Sequence, residues 1–420
     1  MQNFRLNNKQ FLLPILLLIS GGGFCQVKTD TFLLNLITSN ASNELKNILH
    51  NPDSFRYQLI YTRIDRDKNN KPHLANYYLN VNRNEYFNPA STVKMPVAFL
   101  ALEKINQLKK FDIDKDTPML TDSSYSGQSV AYTDSTAENG FPSIAHYIRK
   151  IFLVSDNIAY NRLYEFVGQQ TINRRLWKMG YDDMRITRRF VTMNPDQNRH
   201  TNAIRFMKDR MIYRQPPEYN KDSFDFSKPI SIGKAHYNRN DSLINSPMDF
   251  TTHNNAPLED LQQILQSVIF PSSMPSSKRF KLKPEDYRFL YQCISELPSQ
   301  SKFPRYDTAE FFDSYTKFFL FKAGRSSIPG HIKVFNKTGW SYGFLTDIAY
   351  IVDFNNNIEF MLSGVIYVNS DGILNDNKYE YDKTGYPFFK ETGNIIYQYE
   401  LKRKRANIPD LSNFRLNYNK

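Results

Sequence analysis

The chain has 420 residues, of which 40% are hydrophobic, 23% charged and 15% aromatic. This composition excludes intrinsic disorder and suits a packed, sheet-containing protein large enough for two lobes. The formal net charge of +12 comes from scattered basic residues with one dense run, Lys402-Arg403-Lys404-Arg405; that pattern argues against nucleic acid as a partner and fits either an anionic envelope surface or a solvated basic face.

Residues 1–26 read as a secretory signal peptide. Arg5 and Lys9 precede the apolar run from Phe11 to Ile19, and Ser20-Gly21-Gly22-Gly23 follows. The run is too short to span a bilayer. Cleavage is expected near Cys25-Gln26, and the bulky Phe24 argues against a lipid anchor on Cys25. No later stretch is apolar for long enough to cross a membrane. The mature chain is therefore expected to be periplasmic or secreted, with no stable membrane span, and a monomer. Only Cys293 would remain, so no intramolecular disulfide is expected.

Residues 56–65 and 74–82 read as paired strands rich in Tyr, Ile, Leu and Val. Their connection, from Asp65 to Asn70, resembles the start of an EF-hand loop. It has Asn70 where glycine is needed and Asn76 where a bidentate glutamate is needed, so a polar turn is the reading. A helix follows from about Ser91 to Leu108. Val93, Met95, Val97, Phe99, Leu100, Leu102 and Ile105 cover nearly its whole circumference, the mark of a buried helix. Ser143 can cap another helix, in which Ile144, Tyr147, Ile148, Ile151 and Phe152 share one face and lead to Ser155. The next helical run stops at Gly168, and a short helix covers 171–179.

From 188 to 255 the periodicity fades, which predicts a long irregular insertion. Helices resume at 257–270 and 284–297. Strands at 332–335, 348–352 and 360–362 follow, the last two flanking Asn355-Asn356-Asn357 as a hairpin. A helix at 387–403 and a polar tail, 406–420, close the chain. The order predicts an α+β fold: an antiparallel sheet flanked by helices from both chain ends, with a helical lobe inserted. The expected division is an α/β lobe from 27–88 and 315–405 and a helical lobe over about 89–314.

Three short motifs carry chemistry. Ser91-Thr92-Val93-Lys94 places a hydroxyl one helical turn from an amine, where the positive helix end favours charge on the serine oxygen. Ser-x-x-Lys recurs at Ser231–Lys234, Ser299–Lys302 and Ser314–Lys317, but only Ser91 opens a long buried helix. Ser155-Asp156-Asn157 occurs once and could be a simple helix cap. Lys337-Thr338-Gly339 follows an alternating strand, where a strand edge can line a substrate. The second copy, Lys383-Thr384-Gly385, reads as a turn.

In this order the trio resembles the serine β-lactamase and penicillin-binding protein superfamily, its class A-like branch above all, because the middle motif begins with Ser. The resemblance implies a β-lactamase-like fold and a serine hydrolase acting through an acyl-enzyme on β-lactams or related cell-wall amides. A D-Ala-D-Ala carboxypeptidase, a β-lactam trap with slow deacylation and a non-catalytic wall-fragment binder are its alternatives. It implies catalytic roles for Ser91, Lys94, Ser155, Asn157 and Lys337, and an oxyanion hole from the backbone of Ser91 and Trp340. It also implies substrate binding by Thr338 and Gly339. The substrate would be a small molecule or derive from peptidoglycan; no metal or cofactor is implied. One departure concerns deacylation. Class A enzymes carry a Glu after the middle motif, but this chain has none between Glu165 and Glu218. Asp196 is the best-placed carboxylate for that role and Glu218 a second candidate, with a loop carboxylate paired to an Arg as the alternative for either.

Overall fold

The computed structural model describes residues 27–418. The signal-peptide reading of 1–26, including Cys25, falls outside the described residues. Helices α1 (Thr31–Asn40) and α2 (Asn43–His50) come first, then strands β1 (Gln58–Arg66) and β2 (Pro72–Leu79). Helices α3 (Lys94–Gln107), α4 (Ile144–Val154), α5 (Asn157–Val167), α6 (Gln169–Lys178), α7 (Leu258–Ile269) and α8 (Pro284–Ser295) follow. Strands β3 (Ile332–Ser341), β4 (Phe344–Asp353) and β5 (Ile358–Tyr367) lead to the last long helix, α9 (Tyr386–Lys402). This is the α+β arrangement expected, with α1 and α2 added ahead of the first strand.

The five strands form one antiparallel sheet in the order β3-β4-β5-β1-β2, so the two ends of the chain meet where β5 pairs with β1. Every residue of β4 and β5 is buried, because both faces of the sheet are covered. Successive side chains alternate between two cores. Leu345, Ala349 and Ile351 pack with Leu59, Leu362 and the apolar faces of α1, α2 and α9. Phe344, Ile348, Tyr350 and Val352 join Ile60, Met361 and the residues of α3 to α8. Each fully buried Leu or Ile contributes roughly 1.5–3 kcal/mol. Among the described residues, no helix is long and apolar enough to cross a membrane.

The weakly patterned stretch from 188 to 255 is built of small pieces. Ile204–Met207 and Met211–Gln215 join Met119–Thr121 in a three-stranded sheet. Ala235–Tyr237 pairs with Leu243–Ile244 and runs parallel to Ile373–Leu374, tying the segment to the chain beyond β5. Strands of two to five residues are too short to show alternation in sequence.

Helix α3 is apolar and buried from Lys94 to Glu103, as its composition predicts. It starts later than expected, however. Residues Ala90–Val93 form a separate 3-10 turn ahead of it, so Ser91 precedes the α-helix by three residues.

Candidate active site

The turn that carries Ser91 is held from both sides. Ala90 adopts φ of +44°, a left-handed conformation that costs a non-glycine residue on the order of 1–2 kcal/mol. The Asn88 Oδ1 accepts the Ala90 N–H at 2.9 Å, and the Thr92 hydroxyl donates to the Pro89 carbonyl at 2.6 Å. These bonds fix the bend. The Ser91 side chain is partly exposed, and its hydroxyl has no hydrogen bond to a described residue. Resting sites often tighten such contacts only when substrate arrives.

Lys94 is fully buried one turn on. Its Nζ donates to the Ser155 carbonyl and, at 2.7 Å, to Asn157 Oδ1; the Ser155 hydroxyl lies 3.3 Å away. Burial pushes the Lys94 ammonium down to about 7, opposed only by the nearby Asp156 carboxylate. The Phe190 ring covers Nζ at 4.9 Å from its centroid.

The middle motif sits at the junction of two helices. Ser143 caps α4 by accepting the His146 N–H at 3.1 Å. At the other end of α4, Ser155 takes φ of +61° and closes the helix. Asp156 then caps α5, accepting the Ala159 N–H at 2.8 Å. Asp156 is thus the plain cap that the triplet could have been as a whole. Ser155 and Asn157, on either side of it, both reach Lys94.

Lys337 approaches from β3. Its Nζ donates to the Ser155 hydroxyl at 2.8 Å and to the Thr338 carbonyl at 2.7 Å. Burial first, and then the charge of Lys94, hold the Lys337 ammonium well below its usual range. Behind it runs a buried polar network. Lys317 Nζ donates to Asn336 Oδ1 at 2.7 Å, and Asn336 Nδ2 donates to Asp347 Oδ1 at 2.8 Å. Burial raises Asp347 to about 6 and lowers Lys317 to about 7. Lys317 of the Ser314–Lys317 copy of the first motif therefore belongs to this structural network, and Ser314 is fully buried. The Lys383-Thr384-Gly385 copy lies in the single turn that precedes α9.

Gly339 explains how strand and nucleophile turn come so close. A Cβ on it would stand 2.7 Å from the Pro89 carbonyl oxygen, 2.9 Å from the Ser91 nitrogen and 3.1 Å from the Thr92 nitrogen. Only glycine lets β3 press against the Ser91 turn. That contact also sets the Ser91 N–H one residue from Trp340, whose ring packs against Tyr315 and Phe318. Thr338 is fully buried, and its hydroxyl has no partner among the described residues. An orphan hydroxyl of this kind costs about 1–3 kcal/mol until something satisfies it.

Neither candidate deacylation carboxylate makes a hydrogen bond with Lys94, Ser155, Asn157 or Lys337. Asp196 accepts from the Tyr125 hydroxyl at 2.9 Å and the Tyr219 hydroxyl at 3.3 Å, and His200 Nε2 stands 3.5 Å away. Its side chain is about half exposed, and it is not among the residues lining the cleft beside Asn157. Glu218 lies against Gly168, at the end of α5 opposite Asn157. The residue that reaches Lys94 from this segment is Phe190. Its N–H is anchored by Asn161 Oδ1 at 2.8 Å, and its neighbour Arg189 is locked by Glu165 at 3.3 Å and by the Gln197 carbonyl at 3.1 Å. Phe190 carries no sequence signal, since an aromatic residue in an aperiodic stretch says nothing about what it covers.

These distances bring Lys94, Ser155, Asn157 and Lys337 into one hydrogen-bonded cluster, with the Ser91 turn pressed against the strand that carries Lys337. Residues 40–211 match the β-lactamase enzyme family, a span that includes the first two motifs and ends before the third. Solved structures that align with this chain include a β-lactamase from Sphaerobacter thermophilus DSM 20745, 11% identical, with 85% of this chain and 96% of that one aligned at a TM-score of 0.44. A β-lactamase from Xanthomonas campestris pv. campestris str. ATCC 33913 is 14% identical over 84% of this chain and 96% of that one, with a TM-score of 0.46. PBP-A, solved as an acyl-enzyme with penicillin G, is 13% identical over 87% and 96% at 0.46. No curated protein matches the sequence.

Proposed function

We propose that this chain is an exported serine hydrolase that forms an acyl-enzyme at Ser91 with β-lactams or related cell-wall amides. The observation that carries this reading is the Ser155 hydroxyl held between two buried lysines, 3.3 Å from Lys94 Nζ and 2.8 Å from Lys337 Nζ.

A neutral Lys94 has two N–H groups and one lone pair. The carbonyl oxygens of Ser155 and Asn157 accept the two N–H groups. The lone pair is left to take the proton of Ser91 as its oxygen attacks the amide carbon. Burial, which brings Lys94 to about 7, is what makes it a base near neutral pH. The Ser155 hydroxyl accepts from Lys337 and can pass its own proton to the leaving nitrogen. Asn157 keeps amide hydrogens free for the acyl amide of the substrate. The N–H groups of Ser91 and Trp340 receive the oxyanion, each worth on the order of 3 kcal/mol. A substrate carboxylate beside Lys337 and Thr338 raises the Lys337 ammonium back toward its usual range and gives the orphan Thr338 hydroxyl an acceptor.

Turnover of the acyl-enzyme is a separate matter. An aromatic ring covers Lys94, and Asp196 is engaged by two tyrosines. This favours slow deacylation, as in a carboxypeptidase-like or β-lactam-trapping protein, over a fast β-lactamase. Intact-mass measurement after brief exposure to benzylpenicillin tests both parts. A mass increase of one penicillin, absent from Ser91→Ala, supports the acyl-enzyme, and its persistence supports slow turnover. An unmodified protein that also leaves nitrocefin intact would remove the reading.

A further inference from the structure

The cleft that begins at Asn157 and Phe190 has a volume of about 590 Å³ and an uneven charge. Arg188, Arg189, Arg239, His236 and His253 line it, and no Asp or Glu does. Arg189 is engaged by Glu165 and by backbone carbonyls. His253 is buried, and burial together with the charge of Arg188 lowers it to about 3, so it stays neutral.

Arg188 differs from these. Its backbone is pinned, with its N–H on Asn254 Oδ1 at 3.1 Å and its carbonyl accepting the Tyr160 hydroxyl at 3.1 Å. Its guanidinium, half-buried at the cleft wall, has no hydrogen bond or ion pair with a described residue. Arg239 rises over the same cleft from the exposed turn after Ala235–Tyr237 and is likewise unpaired among the described residues. A half-buried cation on a rigid backbone, facing a cleft without acids, is arranged to receive an anion.

We propose that Arg188 and Arg239 form a subsite for a second carboxylate, carried on the acyl arm of the substrate. The proposal rests on the reading given under Proposed function. A substrate with one carboxylate at Lys337 and its acyl amide at Asn157 extends its acyl arm past Asn157 into this cleft. The favoured substrates are then dianionic amides, with one carboxylate at each end.

Carbenicillin and benzylpenicillin test this, because they differ by one carboxylate on the acyl arm. Acylation by carbenicillin, followed by intact mass, should be about tenfold more efficient, and added salt should shrink that preference. The carbenicillin-to-benzylpenicillin ratio should fall to near one in Arg188→Gln, and fall partway in the exposed Arg239→Gln. Calorimetric binding to Ser91→Ala separates this proposal from the acylation reading. Tighter binding of carbenicillin there supports the subsite even if the wild-type protein is never acylated. Equal affinities, or a preference that survives in the Arg188→Gln Arg239→Gln double variant, would overturn it.

Discussion

Lys337 Nζ donates to the hydroxyl of Ser155 at 2.8 Å, joining groups 182 residues apart in the chain. The same hydroxyl faces Lys94 at 3.3 Å, so one oxygen separates two buried amines. Replacing it with a methyl group removes both an acceptor and a proton carrier. Ser155→Ala should still fold and should lower the acylation rate about 100-fold. Stopped-flow labelling with a fluorescent penicillin measures this; an unchanged rate would take Ser155 out of the proton path.

The Lys337 ammonium is held well below its usual range by burial and by Lys94, and a substrate carboxylate reverses that shift. Binding of benzylpenicillin to Ser91→Ala should therefore take up protons. Calorimetry in buffers of different ionisation enthalpy reads the uptake directly. Lys337→Met should abolish it and weaken binding.

Acylation should rise with pH as Lys94 loses its proton, with a midpoint near 7. The Phe190 ring contributes to the desolvation that sets this value. Phe190→Ala admits water, stabilises the charged amine and should move the midpoint upward. Linkage gives a second consequence. Lys94 is lowered in the folded state, so the unfolded chain binds the extra proton between about 7 and its ordinary value, and stability rises with pH over that window by up to about 1.4 kcal/mol per unit. Lys94→Met should flatten that part of the stability profile in urea titrations.

Gly339→Ala places a methyl group 2.7 Å from the Pro89 carbonyl oxygen, a backbone atom that has little freedom to yield. Strand and turn must separate at a cost of about 1–3 kcal/mol. The melting temperature should fall by several degrees. Acylation should fall by more than tenfold, because the Ser91 N–H moves with the turn.

Glu165 is buried and accepts from Arg162 at 3.0 Å and Asn202 at 3.1 Å, with Arg189 Nε 3.3 Å away. Glu165→Gln leaves two buried guanidinium groups short of their counter-charge, and losses of about 3–5 kcal/mol follow from breaking such pairs. Chemical denaturation should show that loss. The loop carrying Phe190 should loosen with it, so the pH midpoint of acylation should shift upward as in Phe190→Ala.

The sequence by itself determined the long helices and strands around the site. The apolar periodicity after Ser143 and the all-round apolar run after Ser91 marked two buried helices, and the strand before Lys337 and the apolar runs flanking Asn355-Asn356-Asn357 marked the strands. Those patterns are legible because burial on one face, or on all faces, repeats with the period of the element. Tertiary structure decided the rest. It showed that Asp156 is a helix cap while Ser155 and Asn157 on either side reach Lys94, and that Gly339 serves the approach of a strand to a turn. It set Phe190 over Lys94 and turned Asp196 toward Tyr125 and Tyr219. Such contacts depend on where two distant segments meet in space, and no local period records that.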